Sequence, residues 1–183
     1  KIILETDKRL VSLFKRFFEK EKAFNIEIVA LEKKLISNFD KHIAIGSLGK
    51  YLRKSRKSFD ETPKKYLISS QSKEEIIKNF IKKNKLNVGI SWKTLNKKQL
   101  YRNIKLEQML AIFKNKKCNF INLQFGDTQE DLQILESKHG VKINSIKELD
   151  NFNDIEGLAA LINCLDLVIT IQNTTAHLSG ALG

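Results

Sequence analysis

A doubly wound, parallel α/β sheet is the fold class that this 183-residue sequence predicts. Two observations carry the prediction. From Leu86 onward, short apolar runs alternate with segments whose apolar residues recur at helical spacing, and strand–helix alternation of that kind builds parallel sheets covered by helices. Polar stretches at 91–102, 124–127 and 172–177 then fall just after successive runs. That places them at the carboxyl ends of strands, where open α/β sheets bind ligands.

Taken in order, Lys1–Glu5 reads as a short strand and Asp7 as the N-cap of a helix with Leu10, Val11, Leu13, Phe14, Phe17 and Phe18 on its apolar face. Ile26–Leu31 is a second strand, and Lys41–Ile45 a third that ends at Gly46-Ser47-Leu48-Gly49. The basic stretch 50–65, with the single proline Pro63, reads as a surface loop or crossing segment. Ser72 and Glu75 have capping-box spacing at the start of a helix whose apolar face is Ile76, Ile77, Phe80 and Ile81. The regular part follows: strand Leu86–Trp92, helix Leu106–Phe113, strand Asn119–Leu123, helix Thr128–Ser137 and short strand Val141–Ile143. Helix Asp154–Cys164, buried strand Leu167–Ile171 and a helix from Thr174 onward complete it.

Composition bounds the function classes. With 42% hydrophobic and 30% charged residues the chain is globular, not disordered, and long enough for one core or one and a half. No apolar run reaches the roughly 18 residues of a membrane span. Lys1 opens the sequence with no leader before it, so a cytoplasmic placement is expected, and the abrupt ends at Lys1 and Gly183 read as those of a fragment. Cys118 and Cys164, in apolar stretches, read as buried free thiols, with a disulfide as the alternative. His42, His139 and His177 stand apart from Cys or acidic clusters, so no metal site is expected. The net charge of +12 is uneven: residues 1–90 hold 22 Lys/Arg against 11 Asp/Glu, the remainder 11 against 10. Most of these cations are Lys on faces expected to be solvated, such as Lys33-Lys34 and Lys82-Lys83, without aromatic interleaving; only five are Arg. A specific nucleic-acid partner is therefore not expected.

The strongest local signal is Asp166–Ala181, where an apolar strand runs through Gln172-Asn173 into a helix opening Thr174-Thr175-Ala176-His177. Free N–H groups and the helix dipole make such a terminus an anion site. An ordinary helix capped by Asn173 or Thr174 fits equally well. Ser91, Trp92 and Lys93 at a strand end, with Arg102 shortly after, can hydrogen-bond and charge-pair a phosphate; a solvated lysine-rich loop is the alternative. Because no cation follows Lys147, Lys93 and Arg102 are the natural suppliers of charge for an anion at Thr174–His177. Gln124, before the turn glycine Gly126, either faces a ligand or belongs to a plain turn. Asp150 and Glu156 are placed to bond ribose hydroxyls, although acids such as Asp154 and Glu156 also suit a first helical turn. Gly46-Ser-Leu-Gly49 lacks the third glycine of a dinucleotide fingerprint.

Together, Gly89–Lys93, Arg102–Met109, Phe120–Asp127, Asp154–Ile162 and Leu165–Gly183 resemble the nucleotide-binding half of heptosyltransferase-like (family 9) glycosyltransferases, above all the versions fused to tetratricopeptide repeats in bacterial proteins. Ile45–Arg53, Phe59 and Tyr66-Leu67 resemble the segment before the domain crossover of that group. The resemblance implies a GT-B fold: residues 1–67 from the end of a first, acceptor-side Rossmann-like domain, 68–85 crossing over, and 86–183 opening the donor domain. It implies an inverting transfer from a nucleotide-diphosphate sugar, without metal or other cofactor, to a glycan, lipid or protein acceptor. Ser91, Trp92, Lys93 and Gln124 would line the donor cleft, and Thr174, Thr175 and His177 would hold the diphosphate. The base of such enzymes lies early in the first domain, so none is assigned here. Gln172 stands where relatives usually carry Asp. The alternative is a non-catalytic, glycosyltransferase-like interaction module of a repeat protein.

Overall fold

The computed structural model describes residues 1–22, 25–32, 39–60 and 64–183; Lys33-Lys34 and Pro63 lie outside them. The chain is mixed α/β with two parallel sheets. β1 (Ile2–Thr6) and β2 (Ile26–Ala30) pair in parallel through α1 (Val11–Glu21), and Asp7 caps the turn before α1 by accepting from the Arg9 N–H at 2.9 Å. Lys41–Ile45 forms no strand. Its alternation finds no strand to pair with among the described residues; Ile43 and Ile45 stay exposed, and the chain turns through Ile45–Ser47 into α2 (Leu48–Leu52). The stretch 50–65 contains the end of α2 and a 3-10 turn, Arg56–Phe59.

The second helical start also differs from expectation. α3 (Gln71–Ile77) begins one residue earlier than Ser72, because Glu74 takes the Ser69 hydroxyl (2.5 Å) and Ser72 bonds Ser70, so no box forms between Ser72 and Glu75. Ile77 alone of its apolar residues is buried; Ile76 and Phe80 are exposed and Ile81 packs at the core margin.

The larger sheet has the order β4–β3–β5, from β3 (Leu86–Ser91), β4 (Cys118–Asn122) and β5 (Leu167–Thr170), with Val88 opposite both Phe120 and Leu167. The short strand expected at Val141–Ile143 is reduced to one parallel bridge, Asn144 to Ile121, held by bonds of 2.8 and 2.9 Å. In space the order is thus Asn144, β4, β3, β5. The chain winds outward from β3 and then returns to its other side, so the topological switch lies between β3 and β5.

Period-two alternation divides the core. Val88, Ile90 and Phe120 point to one face, with α5 (Gln129–His139) and the Leu106–Phe113 segment, a 3-10 turn followed by α4 (Leu110–Phe113). Ile121 and Leu123 point to the other, under α6 (Ile155–Asn163) and α7 (Thr174–Leu182), where Leu13, Leu67 and Ile77 join them. Gly89 also points there. A Cβ on it would stand 2.4 Å from Leu123 Cδ1 and 2.6 Å from Leu165 Cδ1. α5 ends on Gly140 at φ 63°, a left-handed cap that glycine adopts without strain. β5 is an edge strand among the described residues and is half-buried, with Leu167 exposed, instead of the buried strand its apolar run suggests.

α1 leans onto α6. Ser12 donates to Glu156 at 2.8 Å, Arg16 reaches both Glu156 and the Ile68 carbonyl (2.9 Å), and Lys73 holds Asp154, the N-cap of α6, at 2.7 Å. Cys118 and Cys164 are free thiols of intermediate burial, so neither is fully enclosed. No helix among the described residues is long and apolar enough to cross a membrane.

Candidate functional site

The ends of β3, β4 and β5 are joined by one buried hydrogen-bond network. Gln124 Oε1 accepts from the Ser91 hydroxyl (3.1 Å) and from the N–H groups of Trp92 (3.0 Å) and Lys93 (2.9 Å). Ser91 Oγ in turn accepts from Asn173 Nδ2 at 2.8 Å. Asn173 Oδ1 accepts from Thr170 (3.0 Å) and caps α7 through the Ala176 N–H (3.3 Å). Asn122 bonds the Gln124 N–H, Thr128 and Ser145, and Asn151 Nδ2 bonds the carbonyls of Asn122 and Gln124. Buried polar groups require such partners. Ser91 and Gln124, expected to line the cleft, instead form a floor that holds its elements in register, and Asn173, the N-cap of α7, both joins that floor and lines the cleft.

Above that floor, between the ends of β3 and β5, lies a cleft of about 540 Å³. Thr174, His177, Arg102, Asn96, Gln99 and Phe125 face it, and none of its lining residues is acidic. Asn173 satisfies the Ala176 N–H, which leaves the N–H groups of Thr174 and Thr175 without intrahelical partners at the positive end of α7. Arg102 is oriented by Gln99 Oε1 (3.0 Å) and by the ring of Tyr101, 5.5 Å away. Thr175 itself is 1% exposed, its hydroxyl buried and without a hydrogen-bond partner.

Lys93 goes elsewhere. Its ammonium bonds Asp131 (2.7 Å) and the Asp127 carbonyl (2.8 Å) on the α5 side, where Trp92 Nε1 also meets Asp131 (2.9 Å). Burial pushes the Asp131 carboxyl up, but the hydrogen bonds from Lys93 and Trp92, with the lysine's charge, bring it below the usual range. Strand alternation explains Trp92, which buries with Ile90 on the α5 face; Lys93 lies past the end of β3, where its long side chain reaches the carboxylate that Trp92 also bonds. Trp92, 2% exposed, is a core residue rather than a cleft wall.

The two expected ribose acids separate. Glu156 is engaged by Ser12 and Arg16 at the α1–α6 junction. Asp150 lines a second, smaller cleft of about 210 Å³ at the end of β4. There its carboxylate accepts from Asn153 Nδ2 (2.7 Å) and from the N–H groups of Phe152 and Asn153, and these bonds hold it below the usual carboxylate range. Asn151 lines the same cleft with its Oδ1 buried and unpartnered. Phe125 borders both clefts. Sequence reasoning missed Phe125, Asn151, Asn96 and Gln99. Phe125 carried a readable signal, an aromatic just past a strand; the other three are polar loop residues whose roles arise only from folding. Among the described residues no group of three or more His, Cys, Asp or Glu side chains gathers as metal ligands would.

The fold and clefts define a mixed α/β protein with helix-flanked parallel strands and a cleft at the switch point, an arrangement compatible with a Rossmann-like fold. No family model and no solved structure matches the chain. Protein FlbA of Caulobacter vibrioides is similar to it, 27% identical over 192 aligned residues that take in 98% of this chain and 32% of FlbA. The chain thus spans about a third of the length of that relative.

Proposed function

We propose that this chain is the donor-binding part of an inverting, metal-independent glycosyltransferase of GT-B type, which holds a nucleotide-diphosphate sugar. The observation that carries the reading is the acid-free cleft at the β3/β5 switch, where the amino terminus of α7, Arg102 and His177 face one space. N–H donors, a guanidinium and a helix dipole suit a diphosphate whose charge grows as the glycosidic C–O bond breaks. In this reading the acceptor hydroxyl, on a glycan, lipid or protein, attacks the anomeric carbon from the opposite face and yields its proton to a base outside the residues assigned here. Residues 1–67 belong to the acceptor side, 68–85 cross over and 86–183 hold the donor, the ribose end extending past Phe125 toward Asp150 in the smaller cleft. The compartment proposed is the cytoplasm.

A second reading, a non-catalytic binding module of a tetratricopeptide-repeat protein, is favoured by the same acid-free lining, which offers grip without a carboxylate base. Calorimetric titration with ADP, GDP and UDP tests the shared premise. Saturable binding of at least one is expected, weakened about tenfold or more by Arg102→Ala, since a hydrogen bond to a charged group contributes about 1.5–3 kcal/mol. Lys93→Ala should leave affinity within about twofold, because Asp131 and the Asp127 carbonyl hold that ammonium. No binding, or equal loss in both variants, sinks the reading. A transfer assay with the nucleotide sugar that binds then separates enzyme from module.

A further inference from the structure

We infer that Arg9, in the first βαβ unit, is a positioning residue for the cleft: it fixes Phe152, and through Phe152 the Phe125 ring that borders both clefts. The inference rests on the reading that the larger cleft binds a ligand. Asp7 holds the Arg9 guanidinium by two side-chain bonds, at Nε (3.0 Å) and Nη2 (2.9 Å), a bidentate grip that sets the direction of Nη1. Nη1 then donates to the Phe152 carbonyl at 2.8 Å, and the guanidinium carbon lies 5.5 Å from the centroid of the Phe152 ring.

Phe152 is half exposed and belongs to neither core cluster. What locates its ring is therefore Arg9 on one side and Phe125 on the other, with ring centroids 5.9 Å apart and planes tilted by 37°. The turn that carries Phe152 is fastened at its other end to the sheet. Asn151 Nδ2 donates to the Asn122 and Gln124 carbonyls, both at 3.2 Å, and Asp150 closes the turn on the Phe152 and Asn153 N–H groups. The turn 150–153 thus stands between the docked βαβ unit and the end of β4, and any displacement of Arg9 acts on the wall of both clefts. Three segments far apart in sequence, 7–9, 122–125 and 150–153, make one mechanical connection. Arg9 itself touches neither cleft.

Hydrogen exchange on the 183-residue chain tests the connection without ligand. Relative to wild type, Arg9→Ala and Arg9→Gln should speed exchange of the amides at 124–127 and 150–153 about three- to tenfold and leave Val88–Ile90 protected, in the range of coupling carried through packed networks. Lys1→Ala, which breaks the Lys1–Glu27 pair of the same unit, serves as control and should change neither segment. Phe152→Leu keeps the carbonyl but removes the ring, and should loosen 124–127 as the arginine variants do. The affinity for whichever of ADP, GDP or UDP binds should fall about threefold or more in Arg9→Ala. Unchanged exchange at 124–127 in both arginine variants overturns the inference whether or not a nucleotide binds. If no nucleotide binds wild type, the donor-site reading falls while the exchange arm still decides the role of Arg9. A uniform rise in exchange across β3 and β4 would mean general loosening, and would also overturn it.

Discussion

Gln124 shows how one amide can do the work of an element. Its oxygen takes three donors at the end of β3 while its Nε2 satisfies the Phe125 carbonyl at 2.9 Å, all in a residue 3% exposed. Gln124→Ala leaves two N–H groups and a hydroxyl with no acceptor in a closed space. A loss of about 2–4 kcal/mol in urea-unfolding stability is expected, since each buried orphan costs about 1–3 kcal/mol and some will reach water. A change under 1 kcal/mol would show the network to be redundant. The type and position of Gln124 were legible in the sequence; its role was not. A glutamine after a strand reads as a ligand contact or a turn, and only the meeting of β3 with β4 reveals where its lone pairs go. Lys93 departs from its expected direction for a related reason. Its charge was visible, but its direction depended on Asp131, 38 residues away.

Elements were more legible than residues. Apart from Val141–Ile143, which is reduced to a bridge, the strands and helices from Leu86 onward emerge within a residue or two of their expected ends, because their periodicity coincides with burial on two faces. Lys41–Ile45 fails as a strand because alternation fixes which side chains share a face but supplies no neighbour to bond. The helix at Gln71 begins early because Glu74 pairs with Ser69, a tie that capping-box spacing does not anticipate. A row of asparagines across the sheet was equally hidden: Asn119 Nδ2 donates to Asn87 Oδ1 and Asn144 Nδ2 to Asn119 Oδ1, both at 2.9 Å, which marks the register of three neighbouring strand positions. β3 also carries a steric requirement. Gly89→Ala would drive a methyl into Leu123 and Leu165, and a loss of about 1–3 kcal/mol is expected by thermal or urea denaturation. A neutral result would mean that both leucines can swing aside.

At the scale of the whole molecule, the two sheets are joined through α1 and α6, with Leu13 fully buried in the core that also holds Leu158 and Leu161. Arg16 sits over that seam, tied to Glu156 and the Ile68 carbonyl, with side-chain exposures of 30% for Arg16 and 18% for Glu156. Such partly buried, shared contacts couple. A double-mutant cycle of Arg16→Ala and Glu156→Ala should return an interaction of about 1–2 kcal/mol in unfolding free energy, against the few tenths of an exposed pair. A value near zero would make the seam purely hydrophobic. The lean of one helix on the other had no signature in the sequence, where the partners lie 140 residues apart. The link between Asn173 and Ser91, 2.8 Å across one hydroxyl, reaches further than its size suggests. It ties both jaws of the opening to a common point, so that on the proposed reading a ligand would be selected by how well it fits the gap rather than by how far it can pry the jaws apart.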